Sequence, residues 1–594
     1  MSMYFKKINP FFIKEPYRFG SRMSLFASAF VLLGQIGFAQ ETENLETERV
    51  VIVKAYTPTI SDAFKIKSTP TLNDSITQQK KKLRYSIFSV PVASTYTPAK
   101  GRAANIDRPK PIDIYDNYAT LGFGNFTSVL AEFYSNFQLN RSDNMGVYLH
   151  HNSSQGGIDE VQLDDKFYNT FLDLNYTSRT RDYTFGIEAG VEHQLYNWYG
   201  LPESPQLTQE QIGAIDPQQS YFGVKLGGKL QFDDLYFKKA TLKYRFFGDA
   251  MSSVEHHVIA KPTFEFEMGD NLIATNFIVD YVSGNFDRIL DFSTQTPNEY
   301  GVLNLGVNPS LVILRDNLTV NLGAAVYYSI DTKNSDNNLF IYPKVTASYR
   351  LLEEAVIAYG GLEGDLKQNT YRNAVQKNPF VSPTLIIEPT SMLYDAYIGL
   401  KGQLSDIVSY NFRGSYISES EKPLFVNNTR PILQLEGYEY GNSFSYRYDD
   451  INTLIGYGEL NFEINKKFKL GTSIEYFNYN TEDEQEAWNL PEIKASALID
   501  YQINSQWYAG AQLFYVGERK DINTAIASLP TQPEAVVTLD SYFDANVNLG
   551  YRLNDQLSFF IKGNNLAGES YQRWVNFPVQ GVQVLGGVTY KFDY

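Results

Sequence analysis

The sequence predicts an all-β fold: a transmembrane antiparallel β-barrel of the outer membrane, of about 22 strands, with both chain ends on the periplasmic side. Three observations predict it. From residue 117 onward, runs of ten or more residues alternate apolar and polar side chains. Short polar turns and long connections follow each other by turns along the chain. Aromatic residues crowd the strand ends, and the whole chain holds 44 Tyr and 40 Phe.

The alternation is plain at the C-terminus. In VQVLGGVTYKFDY (582–594), Val582, Val584, Val588, Tyr590, Phe592 and Tyr594 share one face, and Gln583, Thr589, Lys591 and Asp593 share the other. Successive side chains of a strand point to opposite faces, so the two faces suit two solvents, lipid and lumen. Upstream, Phe543, Ala545, Val547, Leu549 and Tyr551 oppose Asp544, Asn546, Asn548 and Arg552. Leu318, Val320, Leu322, Ala324, Val326, Tyr328 and Ile330 form another apolar row. In 454–464, Leu454, Leu460, Phe462 and Ile464 are expected to face lipid, and Glu459, Asn461 and Glu463 the lumen.

Tight polar links follow: NRSD (140–143), GDN (269–271), RDN (315–317), INKK (464–467), INSQ (503–506) and LNDQ (553–556). Between them lie the long connections 195–216, 284–297, 368–392, 419–450 and 517–538, with a hairpin expected to stand outside the membrane within 419–450. Short turns on one rim and long loops on the other are the two ends of an outer-membrane barrel. A spanning sheet must close, because lipid leaves no partner for an open edge.

Three segments are expected. Residues 1–39 read as a signal peptide: Lys6, Lys7, Lys14, Arg18 and Arg22 precede the apolar run 25–39, and Gly37 and Ala39 sit where a signal peptidase reads, so Gln40 is the expected mature start. Residues 40–116 form a proline-punctuated periplasmic arm with short β-like runs such as VVIV (50–53). Residues 117–594 form the barrel. Beyond residue 40 no apolar run reaches the roughly 18 residues of a spanning helix. The net charge of −16 argues against nucleic acid as a partner, and the absence of Cys removes disulfides and thiolate chemistry.

The C-terminal FFIKGNNLAGESYQRWVNFPVQGVQVLGGVTYKF (559–592) resembles the last two strands of TonB-dependent receptors, with an N-N-L turn, a proline-bearing aromatic loop and a final strand ending Y-K-F. VVIVKAYTPTISDAFKIKSTP (50–70) with LGFGNF (121–126) resembles the opening of a Bacteroidota group of such proteins. The resemblance implies a barrel of this size in the outer membrane of a Gram-negative bacterium, and transport through it. It departs from the family ahead of the barrel: a receptor plug exceeds a hundred residues, and 40–116 shows no plug-like sequence. ETERVVIV (46–53) has the character of a TonB box but reads first as a β-strand, so TonB as a partner is uncertain from sequence.

The chemistry expected is that of a barrel, not an enzyme. No G-x-S-x-G occurs, and no catalytic, cofactor-binding or metal-binding residue is assigned; ligand-binding residues are unknown. His150, His151, His193, His256 and His257 are expected near the outer rim, but adjacent His on a strand point apart, which spoils a chelate. Glu459, Glu463, Glu475, Asp500 and Asp544 are expected as solvated lumenal lining of an acidic, cation-favouring pore. YNWYG (196–200) reads as an interfacial aromatic group or a sugar-stacking patch. Expected partners are outer-membrane lipid and a periplasmic or outer-membrane protein reached through the arm. Two functions follow: passage of a solute or ligand through a lumen without a conventional plug, or a structural barrel subunit of an assembly or secretion complex. A hole this wide needs narrowing, by the arm, by inward-folded loops or by a partner.

Overall fold

The structure, a computed structural model, describes residues 115–203, 207–232, 236–268, 271–288, 298–431, 436–522 and 535–594. The signal segment, VVIV (50–53) and all of the arm but residues 115 and 116 lie outside them. Twenty-two strands form one antiparallel sheet, each paired with its neighbour in sequence, apart from two small ribbons set into loops. The first strand, Asn117–Gly124, pairs with the last, Gln583–Phe592, from Asn117↔Phe592 to Gly124↔Leu585, and this closes the ring. The strand number and the closure are those the alternation predicts.

The tight turns share one device. Asn140, Asn465, Asn504 and Asn554 each turn a side-chain oxygen back to accept the backbone N–H groups two and three residues on, at 2.7–3.0 Å. A short amide does this at no cost in reach, which is why Asn opens these links. The opposite rim carries the long loops, two of which hold helices: α1 (Gln209–Gly213) and α2 (Tyr371–Lys377).

Wall height is uneven. The seam strands Asn117–Gly124 and Leu557–Asn564 have 8 residues each, whereas Val408–Asn427 and Phe444–Asn465 have 20 and 22. The latter pair stays laddered to Asn427↔Phe444, past a break between Glu419 and Lys422 where Glu421 takes a positive φ of 52°. This outer ladder is the hairpin expected within 419–450.

The two faces separate as the alternation requires. Leu454 and Ile464 are exposed on the outside, and Leu460 and Phe462 share their parity. Glu459 lies on the other face, where it accepts hydrogen bonds from Tyr457 and Asn461, both at 2.7 Å. On the last strand Val584 and Tyr590 point out, while Leu585 packs inward with Leu130 and Phe560.

Glycines on the inner face let charged side chains lie flat against the wall. Asp173 and Lys225 pair at 2.7 Å across the strand between them, where Gly190 stands opposite both. A Cβ there would fall 2.3 Å from the Asp173 carboxylate and 2.4 Å from Lys225 Cε. Gly227 plays the same part between Glu188 and Lys243. A row of small residues thus converts the wall into cross-strand ion pairs.

Candidate outer cap and lumen latch

The candidate functional feature of this barrel is built at its outer mouth. The described parts of four loops, 198–203 with 207–217, 368–389, 428–431 with 436–443, and 565–582, fold over the mouth and share one hydrophobic core with the upper wall. Phe380 stacks on Phe577 at 4.1 Å, and Tyr199 and Phe444 close around Phe577 at 4.9 and 5.7 Å. Burying such rings contributes about 1.5–3 kcal/mol each, so this is a folded unit and not a set of free loops. Polar pins hold it: Tyr199 donates its hydroxyl to the Pro578 carbonyl at 2.9 Å, Tyr221 to that of Pro379 at 2.8 Å, and Asn442 reaches the Trp198 carbonyl at 2.7 Å.

YNWYG (196–200) belongs to this core. Trp198 is fully buried against Tyr438, and Tyr196 and Tyr199 are buried too, so the segment is neither a sugar platform nor part of the lipid interface. Gly200 explains the motif's last letter, because a Cβ there would meet the Phe577 ring at 2.5 Å. The sequence pattern of aromatics near a rim does not distinguish a girdle from a lid.

Helix α2 packs on the inner wall and shares the hydrophobic core of the cap. It starts from the loop between Val356–Lys367 and Thr390–Ser405 and reaches strands far around the ring. Thr370 caps it, accepting the Asn373 N–H. Its buried face, Tyr371, Ala374 and Val375, packs on the inner wall, where Tyr371 meets Phe247 at 5.4 Å and Phe286 at 4.9 Å, both edge-on.

One register row of the wall receives the helix: Glu192, Gly223, Phe247, Glu255, Gly284 and Tyr300 lie side by side on six neighbouring strands. Glu255, buried on this row, accepts the backbone N–H groups of Tyr371 and Arg372 at 2.5 and 3.3 Å and the Tyr300 hydroxyl at 2.7 Å. Arg372 makes a two-pronged pair with Glu192, at 2.5 and 2.8 Å. Tyr371 donates its hydroxyl to Asp249 at 2.7 Å, and burial pushes that phenol's pKa well above the ordinary range, so it remains a donor. Gly223 is required here: a Cβ would lie 2.5 Å from Glu192 Cγ. A buried carboxylate meeting donors on every side is stable where a lone one is not. These contacts form a latch that holds α2 against the inner wall at the outer end of the lumen.

The histidines divide between the faces. His150 and His257 point inward, 3.1 Å from Glu132 and 2.7 Å from Asp280. His151 and His193 face outward with Thr170 and Phe222, and His256 with Tyr244. They lie within the strands rather than in the loops beyond them. Among the described residues no three potential metal ligands gather.

The lumenal carboxylates are not bare. Glu463 pairs with Lys469 at 2.5 Å, Asp544 accepts the Tyr571 hydroxyl at 3.1 Å, and Glu475 and Asp500 stand opposite Lys494 and Lys469 in the sheet. Further around, Lys344 pairs with Asp365 and Arg413 with Asp395. The wall is charge-compensated rather than acidic. Counting carboxylates along one strand misses the cations that neighbouring strands bring to the same level.

No protein-family model matches the sequence, and no curated protein does. Solved structures do. The ferric enterobactin receptor PfeA of Pseudomonas aeruginosa aligns with a TM-score of 0.57 at 12% identity, over 80% of each chain. The siderophore receptor PirA of Acinetobacter baumannii gives 0.59 at 13% identity, over 81% of each chain. The pyoverdine outer-membrane receptor FpvA of Pseudomonas aeruginosa gives 0.60 at 11% identity, over 82% of this chain and 80% of that one. The likeness is one of fold. The barrel is of the kind that outer-membrane receptors use, and the latch residues belong to this chain.

Proposed function

We propose that this chain acts in the outer membrane as a receptor-type barrel that passes a solute through its lumen, with the loop cap and α2 as the outer gate. The observation that carries the reading is the latch: a loop helix is folded onto the inner wall of a closed barrel and is held there by wall residues. The resemblance of 559–592 to receptor barrels and the shared fold support it. The ring gives an apolar outside for lipid and a polar inside for water, which is the physical requirement for passage. The chemistry is transport, with no reaction on the solute. In this reading the outer cap takes the part of closing the lumen. Engagement of TonB by 46–53 forms no part of this reading.

A second reading is a structural barrel subunit that docks partners through 40–116. The well-packed cap favours it, since a sealed barrel needs no solute.

Conductance of the full mature chain in planar bilayers tests the first reading. Solute passage predicts measurable conductance that rises when Arg372→Ala loosens the latch. A barrel that never conducts, with or without the latch or residues 41–105, and that co-purifies with fixed partners, belongs to the second.

A further inference from the structure

A group of lysines gathers where α2 ends. Lys367, Lys422 and Lys494 come from three wall strands, Val356–Lys367, Val408–Asn427 and Ile493–Gln502, and Lys377 closes the helix. Glu419 binds two of them, Lys367 at 2.7 Å and Lys422 at 2.6 Å. Lys377 lies within electrostatic reach of Lys367, Lys422 and Glu419, and Lys494 within reach of Lys422 and Glu475. Among the described residues Lys377 forms no ion pair, and Lys494 stands opposite Glu475 in the sheet.

Two further carboxylates nearby, Asp449 and Glu484, are engaged elsewhere. Asp449, opposite Lys422, accepts the backbone N–H groups of Glu482, Asp483 and Glu484 at 2.9–3.2 Å, and Glu484 pairs with Arg447. Beneath the lysines two rings of one strand lie parallel: Phe477 and Tyr479 have centroids 5.8 Å apart and planes 4° apart. Lys494 Nζ sits 5.4 Å from the first ring and Lys422 Nζ 5.9 Å from the second. The Lys377 side chain is open to the lumen but ringed by protein. That burial, with the like charges of Lys367 and Lys422, lowers its pKa. Four ammonium groups here share two carboxylates, Glu419 and Glu475, and such an excess of positive charge favours an anion between them.

We infer that Lys377, Lys422 and Lys494, above the Phe477–Tyr479 shelf, form a lumenal site for an anionic solute that carries phosphate or carboxylate groups. The inference rests on the reading of the lumen as a passage and names the class of solute. Two ammonium groups over flat rings also suit a solute with a planar portion beside its charge.

The test uses the full mature chain in detergent, with inorganic pyrophosphate as probe and calorimetry as readout. Wild type is expected to bind saturably, more weakly as salt rises. Lys377→Gln with Lys494→Gln is expected to weaken binding at least tenfold, while Lys229→Gln, on another stretch of the inner wall, changes it less than twofold. Heat-modifiable migration on gels checks that each variant is folded, and the single Lys377→Gln variant serves if the double one is not. Absence of saturable binding, unchanged affinity in the lysine variants, or an equal loss in Lys229→Gln overturns the site. Conductance separates the two ideas: binding without conductance keeps the site and removes the passage, and conductance without binding removes the site alone.

Discussion

Arg372 and Glu192, 180 residues apart in sequence, meet through two charge-assisted hydrogen bonds at 2.5 and 2.8 Å. One comes from a loop helix and the other from the inner wall, so the pair joins the moving candidate to the fixed scaffold. Both side chains are mostly shielded, with 16% and 18% exposure. Removing one partner of a shielded pair leaves the other charge unsatisfied, which typically costs about 3–5 kcal/mol when burial is complete and less here.

Arg372→Ala is therefore expected to loosen α2 without unfolding the barrel. Single-channel conductance should rise several-fold, and protease should cut the loop 368–389 sooner. Unchanged conductance in a barrel that conducts would show that α2 is not the gate.

Gly223→Ala should act in the same direction and more weakly. The new Cβ would lie 2.5 Å from Glu192 Cγ, so Glu192 must swing off its present path to Arg372. A carboxylate side chain has room to adjust, which limits the effect to about 1–3 kcal/mol. Combined with Arg372→Ala, Gly223→Ala should add little further conductance, since both act on one contact.

The strand register makes a sharp prediction at neighbouring positions. Leu460→Lys places a charge against lipid and should cost about 2–4 kcal/mol near mid-bilayer, measured by urea unfolding in liposomes. Glu459→Lys enters the lumen and should cost far less. Equal costs at the two positions would contradict this register.

Acidity should tighten the cap, to which the ribbon Arg519–Ile522 is tied by Arg519 donating to the Gln572 and Arg573 carbonyls at 3.0 and 2.8 Å. Asp521 is fully buried in the loop ribbon Arg519–Ile522, where it accepts the Asn427 N–H at 3.0 Å and the Asn489 amide at 2.8 Å. Burial outweighs these bonds and raises its pKa to about 6 from an ordinary 3.8. The folded cap thus holds its proton more tightly than the opened one. Its stability is highest below the opened-state value, falls between about pH 4 and 6, and is lowest above pH 6, by up to about 3 kcal/mol. Hydrogen exchange of residues 427 and 522 should slow as pH drops through this window, after correction for intrinsic rates. Asp521→Asn should flatten that dependence.

Much of the barrel was legible because its rule is local. Period-two alternation reports the face of every residue, and Asn-led turns report the inner rim, so strand number and register follow from short windows. The cap was not legible in the same way. Tyr199, Phe380 and Phe577 sit in loops with no periodicity, and their contact depends on three connections meeting at the mouth. The latch was hidden for a related reason: Glu192 and Glu255 look like any inward carboxylate until Arg372 arrives from a distant loop. Gly223 and Gly190 carried a signal that spacing alone cannot read, since a strand glycine marks a close approach without naming what approaches.

The closure of the ring at Asn117–Gly124 has a mechanical side. The chain enters the wall at the rim where it also leaves it, and the seam is clasped there by Asn117 donating to the Phe592 carbonyl at 2.9 Å and Ser135 donating to Asn117 at 2.6 Å. A downward tug on the segment before residue 117 runs along the first strand rather than across it. The paired residues of that strand then bear the load together, in shear, instead of parting one after another. Short as it is, the seam can carry tension delivered from the periplasm, and the wall gives the preceding segment an anchor from which to pull.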